Sequence, residues 1–458
     1  MDDDPFRGPR VRWGSAALIG YDEHMTKDEL ILAHKTFLFP AMFHYFDQPL
    51  VLERAQDQFV YDADGNQYLD FFGGIVTVSV GHGNPKVKQA ITAQLDKLTH
   101  VSTCFSTEPM VALARQLASI SPTPKGDGRP AQTYFTNSGT EADETAVLAA
   151  RLYTGSTEII ALRHGYHGRS ALAMGLTGHA AWRLGPPTQP GILHAHNAYC
   201  YRCPFGLTYP DCGVRCATDI EELIKTSSSG KVAAVLAEPI QGVGGFITPP
   251  KEYFKIVAEI VRAHGGLFIS DEVQTAWGRT GGKWFGIEHW GVDPDIVTSA
   301  KGLANGLPIG VTLARADVAA ALKGLTISTF GGNPIATAAG KAVLDYIESE
   351  NLLANSEAVG AYLKSKLEEL QAKHALIGEV RGRGLLVGVE LVRDRRTKEP
   401  ASKETNALLM RCRDQRILVG KGGLYGNVIR ISPPMNIAKD DVDEFIRRFD
   451  RSLAGVAA

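Results

Sequence analysis

Gly266-Leu267-Phe268-Ile269-Ser270-Asp271-Glu272-Val273-Gln274 is an apolar run that stops in a pair of acids. Bounded by glycine on one side and charge on the other, it suits a strand buried on both faces of a sheet. Thirty residues after Asp271, the apolar run Asp295-Ile296-Val297 leads through Thr298-Ser299-Ala300 into Lys301-Gly302. Working outward, strand-like segments at 133–135, 158–162, 232–237, 267–270 and 296–298 alternate with helix-like ones at 141–153 and 253–263. That alternation predicts an α/β fold, a mostly parallel central sheet with helices on both faces. After about residue 335 the texture changes. Long amphipathic helices at 336–349 and 356–373, strands at 384–391 and 428–431, and a last helix at 440–453 predict a smaller α+β unit. The expected division is an N-terminal arm and helix at 1–60 belonging to the small domain, a large domain at 61–330, and a C-terminal small domain at 331–458.

An acid at one strand end and a lysine at another are what pyridoxal phosphate (PLP) chemistry requires. The Lys301 amine would form a Schiff base with the cofactor aldehyde, and the Asp271 carboxylate would keep the pyridine nitrogen protonated as an electron sink. Neither residue carries this alone, since most lysines are solvated and most aspartates cap helices or sit in turns. Phe135-Thr136-Asn137-Ser138-Gly139-Thr140-Glu141-Ala142 runs from a strand into a helix. Its small residues let backbone N–H groups approach an anion at the positive helix end, with the Ser138 and Thr140 hydroxyls as further donors. An ordinary N-cap is the competing reading. In Gly165-Tyr166-His167-Gly168-Arg169, Tyr166 suits stacking on a flat ring. Arg169 suits either a substrate carboxylate or bulk solvent. Arg430, flanked by Ile429 and Ile431 on a short strand, needs an anionic partner, either a structural acid or a substrate.

The chain has 458 residues, 44% hydrophobic, and a formal net charge of -2. No basic surplus points to nucleic acid. Mean hydropathy is -0.08, and polar residues interrupt every apolar stretch, so no membrane span is expected. The opening Met1-Asp2-Asp3-Asp4-Pro5 is acidic rather than signal-like, and the expectation is a cytoplasmic protein. Four of the six cysteines cluster as Cys200, Cys203, Cys212 and Cys216. Their spacing admits a zinc site, while disulfides or free thiols packing a turn-rich loop are the other readings. Thr26-Lys27-Asp28-Glu29 opens a helix in capping-box style, and Asp64-Gly65-Asn66 turns a hairpin.

Taken in order, Asn137-Ser138-Gly139-Thr140-Glu141-Ala142, Glu238-Pro239-Ile240-Gln241-Gly242, Asp271-Glu272-Val273-Gln274, Ala300-Lys301-Gly302 and Thr329-Phe330-Gly331-Gly332-Asn333-Pro334 resemble the motifs of the class-III aminotransferases, PLP enzymes of fold type I. The segment from Leu69 to His82 looks most like the alanine–glyoxylate and β-amino-acid:pyruvate branch. The resemblance implies that Lys301 holds the cofactor and shuttles a proton, and that Asp271 pairs with the ring nitrogen. Val273 and Tyr166 would sandwich the ring, with His167 beside it. Gln274 would approach the ring hydroxyl, and Glu238 would lie near the ring's rim. Ser138, Gly139 and Thr140 would hold the phosphate, joined by Thr329 from the partner subunit of a homodimer, or of a tetramer built from such dimers. Arg430 matches an arginine for the substrate α-carboxylate, and Arg169 one that grips a distal carboxylate. In the GABA and ornithine branches a glutamate that can mask the α-carboxylate arginine stands where this chain has Val243. The expected reaction is ping-pong transfer of an amino group from an amino acid, ω-amino acid or amine to a small 2-oxo acid such as pyruvate or glyoxylate. An aminomutase or a dialkylglycine-type decarboxylase on the same fold is the alternative.

Overall fold

The computed structural model describes residues 25–42, 44–125, 127–185 and 189–456. The acidic opening Met1–Pro5 lies outside the described residues. Seven strands make the central sheet: β1 (Gln132–Thr136), β2 (Ile159–Leu162), β3 (Ile192–Ala195), β4 (Ala234–Ala237), β5 (Leu267–Asp271), β6 (Ile296–Ser299) and β7 (Gly310–Ala314). Their spatial order is β1-β7-β6-β5-β4-β2-β3. Neighbours from β6 to β3 pair in parallel. Only β7 opposes the others, pairing antiparallel with β1 and with β6. Every residue of β2, β4, β5, β6 and β7 is buried, which is why these strands read as continuous apolar runs.

This topology positions the site. Asp271 pairs in register with Thr298 on the adjacent β6, so Asp271 and Lys301 both lie at the carboxyl ends of neighbouring strands. Open α/β sheets bind ligands in this region. The helix Gly139–Thr154 follows β1 directly and aims its N-terminus at the same edge. Ala142, Ala146, Ala149 and Ala150 are buried along it, and such small side chains let the helix lie close to the sheet.

Two four-stranded sheets flank this layer. The hairpin Phe59–Asp62 and Gln67–Asp70 turns where predicted, because Asp62 Oδ1 accepts the Asp64 and Asn66 amides. Its second strand pairs in parallel with Ile417–Leu418, joining the N-terminal segment to the C-terminal one. In the other sheet the order is Ile377–Arg383, Leu386–Leu391, Val428–Ile431, Gly420–Gly422. Arg430 therefore sits between Gly388 and Gly420 on the flanking strands. The helix Lys27–Phe37 has the capping box expected at Thr26 and buries none of its residues. Strands at Leu52–Gln56, β3, β7 and Ile377–Arg383 were not anticipated from the sequence.

Beside Asp271, the buried Glu272 carboxylate accepts the Gly286 and Ile287 amides at 2.8 Å each, together with the Ser270 and Thr275 hydroxyls. It fastens the loop after β5 to the segment 286–290. Glu272→Ala would strand these donors, each at about 1–3 kcal/mol. The expected result is a loss of at least about 3 kcal/mol in chemical denaturation, whereas Glu272→Gln, which keeps an acceptor, is expected to lose less.

Candidate active site

Lys301, Asp271, Ser138, Gly139, Thr140, Tyr166, His167, Glu238, Val273 and Gln274 all line one cavity of about 380 Å³. Lys301 has a left-handed backbone, φ +44°, at the start of a short 3-10 turn. Such a conformation costs a non-glycine residue energy and marks a position the surroundings impose. Burial pushes the Lys301 amine below the usual lysine value, and the Arg430 charge adds to this. Asp271, Glu238 and Asp143 pull it back up. A lowered value raises the share of neutral, nucleophilic amine.

Asp271 is 2% exposed. Its Oδ1 accepts the Val273 amide at 3.0 Å, and its Oδ2 lies 2.7 Å from His167 Nδ1. His167 Nδ1 is also 3.9 Å from Asp143 Oδ2, and His167 Nε2 is buried without a partner. Asp143, on the helix Gly139–Thr154, is a residue that sequence reasoning missed. The signal was available, a charged residue among Ala142, Ala146 and Val147 on the buried helix face. Burial first, and then the Asp271 charge, push the Asp143 carboxyl well above the usual range, while Thr298 Oγ1 donates to it at 2.6 Å. The three side chains bring ligand atoms within 4.8 Å of one another, as a metal site would. The imidazole already bonds to Asp271 and the Asp143 carboxyl is biased to its neutral form, so the arrangement shares protons.

Ser138 caps the helix, its Oγ accepting the Glu141 amide at 3.3 Å. The Gly139 and Thr140 amides, in the first helical turn, have no intrahelical acceptor. A Cβ on Gly139 would lie 2.8 Å from Val273 Cγ2, so only glycine lets Val273 pack this close. Gly168, at φ +123°, leaves room for the Thr140 side chain in the same way. Glu238 receives the Tyr166 amide on Oε1 at 2.9 Å and the Gly242 amide on Oε2 at 2.7 Å. Burial, reinforced by Asp271, raises its carboxyl to about 7. Tyr166 meets Trp182 edge-on, with ring centroids 5.3 Å apart.

Among the described residues, Arg430 has no structural acid beside it. It is 4% exposed, yet among the described residues it forms no ion pair with a carboxylate, and its hydrogen bond goes to Gln274. Its Nη2 donates to Gln274 Oε1 at 2.5 Å, its guanidinium lies 4.8 Å from the Phe246 ring centroid, and its Nε is buried without a partner. Burial lowers it to about 10. Gln274 is thus turned toward the arginine. Val243 is buried and offers its carbonyl to the Gly423 amide at 2.8 Å.

Two other predicted residues stand apart. Arg169 is exposed and has no hydrogen bond or ion pair among the described residues. Thr329 is exposed and does not line the cavity. A buried arginine that sequence reasoning did not single out, Arg381, bonds to Glu390 at 2.6 Å and to the Gly245 carbonyl at 2.8 Å. A four-residue left-handed turn, Gly73-Gly74-Ile75-Val76 with φ between 57° and 65°, brings Gly74 and Ile75 to the cavity wall.

The aminotransferase class-III family model matches residues 44–453. The chain belongs to the class-III aminotransferases. It is 42% identical over 428 residues to the mitochondrial alanine–glyoxylate aminotransferase 2 homolog 2 of Arabidopsis thaliana, covering 93% of this chain and 87% of the relative. It is 38% identical over 443 residues to the leucine/methionine racemase of Thermococcus litoralis, covering 94% and 96%. An amine transaminase from an uncultivated Pseudomonas species, solved in its PLP-bound form, superposes with a TM-score of 0.84 at 32% identity, covering 92% of this chain and 98% of that one.

This class-III aminotransferase is a PLP enzyme of fold type I, and its residues fit that group. The cavity joins an amine of lowered pKa, a buried carboxylate on a strand end, and a helix N-terminus whose free amides suit a phosphate. The Val273 side chain lies directly against the Gly139 backbone, and both line the cavity. Among the described residues no helix is long and apolar enough to cross a membrane.

Proposed function

We propose that this aminotransferase moves the amino group of an amino acid, ω-amino acid or amine onto a small 2-oxo acid, pyruvate or glyoxylate. The observation that carries the acceptor choice is Arg430 held by the neutral Gln274, with Val243 where a masking glutamate would stand. An arginine free of any carboxylate can take a small α-carboxylate without first breaking an ion pair. The Arabidopsis relative, named for alanine and glyoxylate, agrees with this reading.

Bound PLP supplies an aldehyde that condenses with amines and a protonated ring that takes up the electrons left when the Cα–H bond breaks. Lys301 Nζ holds the cofactor at rest. Its free amine would carry the proton away from the substrate Cα. Asp271 keeps the ring nitrogen protonated, with His167 and Asp143 holding the carboxylate in place. The Ser138, Gly139 and Thr140 donors anchor the phosphate. Val273 and Tyr166 confine the ring, and Glu238 keeps the Tyr166 loop against it. Arg430 orients the carboxylate, and Arg169 is the candidate for a distal one.

A homodimer, or a tetramer of such dimers, is supported by the exposed Leu325, Ile327 and Phe330 beside a second apolar hollow that shares Asn137, Leu307 and Pro308 with the cofactor cavity. A partner copy covering it would bring Thr329 to the phosphate. A cytoplasmic location is supported by six free thiols, which suit a reducing compartment. The 1–60, 61–330 and 331–458 division is proposed as the domain plan.

A donor panel tested with pyruvate, glyoxylate and 2-oxoglutarate is the direct test. Pyruvate or glyoxylate is expected to exceed 2-oxoglutarate in kcat/KM by at least about tenfold. Equal or better use of 2-oxoglutarate would overturn the acceptor assignment. Chiral analysis without any 2-oxo acid separates transamination from the racemase chemistry named for the Thermococcus relative. For Arg430→Ala, KM for pyruvate is expected to rise at least about 30-fold, with a smaller effect on a donor lacking a carboxylate, since a buried charged contact is worth roughly 2 kcal/mol. Unchanged pyruvate kinetics would remove the carboxylate role.

A further inference from the structure

We propose that Cys200, Cys203, Cys212 and Cys216 form a structural zinc site that staples the segment between β3 and the helix Arg215–Ser227. All four line one narrow hollow of about 20 Å³, a volume suited to a single ion or water. Cys216 lies within electrostatic reach of the other three thiols, and none of the four is in a disulfide. Four of the chain's six cysteines line this one hollow, a concentration that packing of an apolar loop does not require.

The surroundings suit a cation held by four thiolates. Arg215 lines the hollow, and Arg202 and Lys398 line its outer face together with Cys200 and Cys203. Lys398, which forms no ion pair among the described residues, offsets part of the net negative charge that four thiolates leave around one divalent ion, while Arg202 and Arg215 are held by Glu390 and Glu222. Among the described residues, the stretch from His196 to Val214 holds one short 3-10 turn, Cys200–Arg202. It is fastened at its rim by Arg202 Nε to Glu390 at 2.5 Å, Lys398 Nζ to the Tyr201 carbonyl at 2.6 Å, and Tyr209 to Glu252 at 3.0 Å. A chain with so little regular structure gains from an internal tie. No three of the sulfurs lie within 4.8 Å of one another, while Zn–S bonds of about 2.3 Å set tetrahedral sulfurs about 3.8 Å apart. Binding therefore turns the thiols inward by side-chain rotation.

The site is remote from amino transfer in sequence but tied to it in space. Tyr199, which also lines the hollow, donates its hydroxyl to Glu390, and Glu390 bonds to Arg381, which holds the Gly245 carbonyl two residues from Val243.

Metal analysis of the purified holoenzyme is expected to find about one zinc per chain. Cobalt(II) exchanged into the site is expected to show thiolate-to-metal absorption. Cys203→Ser and Cys216→Ser are expected to cut zinc content at least about tenfold. The control Cys104→Ser, at an exposed lone cysteine, is expected to leave it unchanged. If a variant does not fold, the wild-type measurements decide. Less than about 0.1 zinc per chain together with no cobalt band, or a disulfide mapped between any two of the four, overturns the proposal.

Discussion

Lys301→Ala protein is expected to fold, to bind cofactor without covalent attachment, and to lose kcat by on the order of 10⁴-fold or more. The proposed function gives this residue two tasks that one alanine removes: presenting the amine that would hold the cofactor, and moving the Cα proton. A factor of 10⁴ corresponds to about 5.4 kcal/mol of activation free energy. Loss of packing does not explain so large an effect, because a destabilised but folded site would be recovered by saturating cofactor. Borohydride reduction followed by peptide mass analysis is the matching structural readout. The label is expected on the Lys301 peptide of the wild type and on no peptide of the variant. Retention of more than about 1% of activity, or a label on another lysine, would falsify the assignment.

Asp271→Asn is expected to be the next most damaging change, lowering kcat on the order of 10³-fold with little effect on fold. The amide keeps the size of the carboxylate and can still accept the Val273 amide, now 3.0 Å away. It carries no negative charge, so it cannot keep a ring nitrogen protonated. His167 Nδ1, 2.7 Å from Oδ2, loses its carboxylate partner at the same time. The neighbouring Asp143 gives the control. Burial and the Asp271 charge already bias Asp143 toward its neutral form, so Asp143→Asn is expected to cost less than about tenfold. Comparable losses in the two variants would move the charge requirement from Asp271 to the pair. Retention by Asp271→Asn of a tenth of wild-type kcat would remove it altogether.

The residues behind these two experiments were readable from the chain because each sits at the end of a fully buried strand. Such strands announce themselves as short apolar runs, and the residues just past their carboxyl ends are displayed at one edge of the sheet. The proposed phosphate loop was legible on other grounds, as the passage from β1, of which only Phe135 and Thr136 are buried, into a helix. Strand β7 was not. Its partners on β1 lie more than 170 positions earlier, and Gly310-Val311-Thr312-Leu313-Ala314 contains nothing that specifies an antiparallel neighbour. Asp143 was overlooked because a single acid in a helix reads as a solvated charge until the sheet beneath it is known. Arg430 was recognised as needing a partner, but the neutral Gln274 stands 156 residues away and sequence spacing cannot choose it over an acid. Arg169, which is exposed, was readable as either a substrate or a solvent arginine, and sequence spacing does not choose between the two.

The close approach of Gly139 and Val273 joins the loop after β1 to the loop after β5. Each residue is the condition for the other. A methyl group at 139 is tolerable once position 273 is smaller, and a bulkier residue at 273 is barred while the helix starts where it does. Single substitutions at either place are therefore poor guides to what the cavity permits. A lineage, or a mutant library, reshapes this wall by paired steps, and the order of those steps decides which intermediates remain functional.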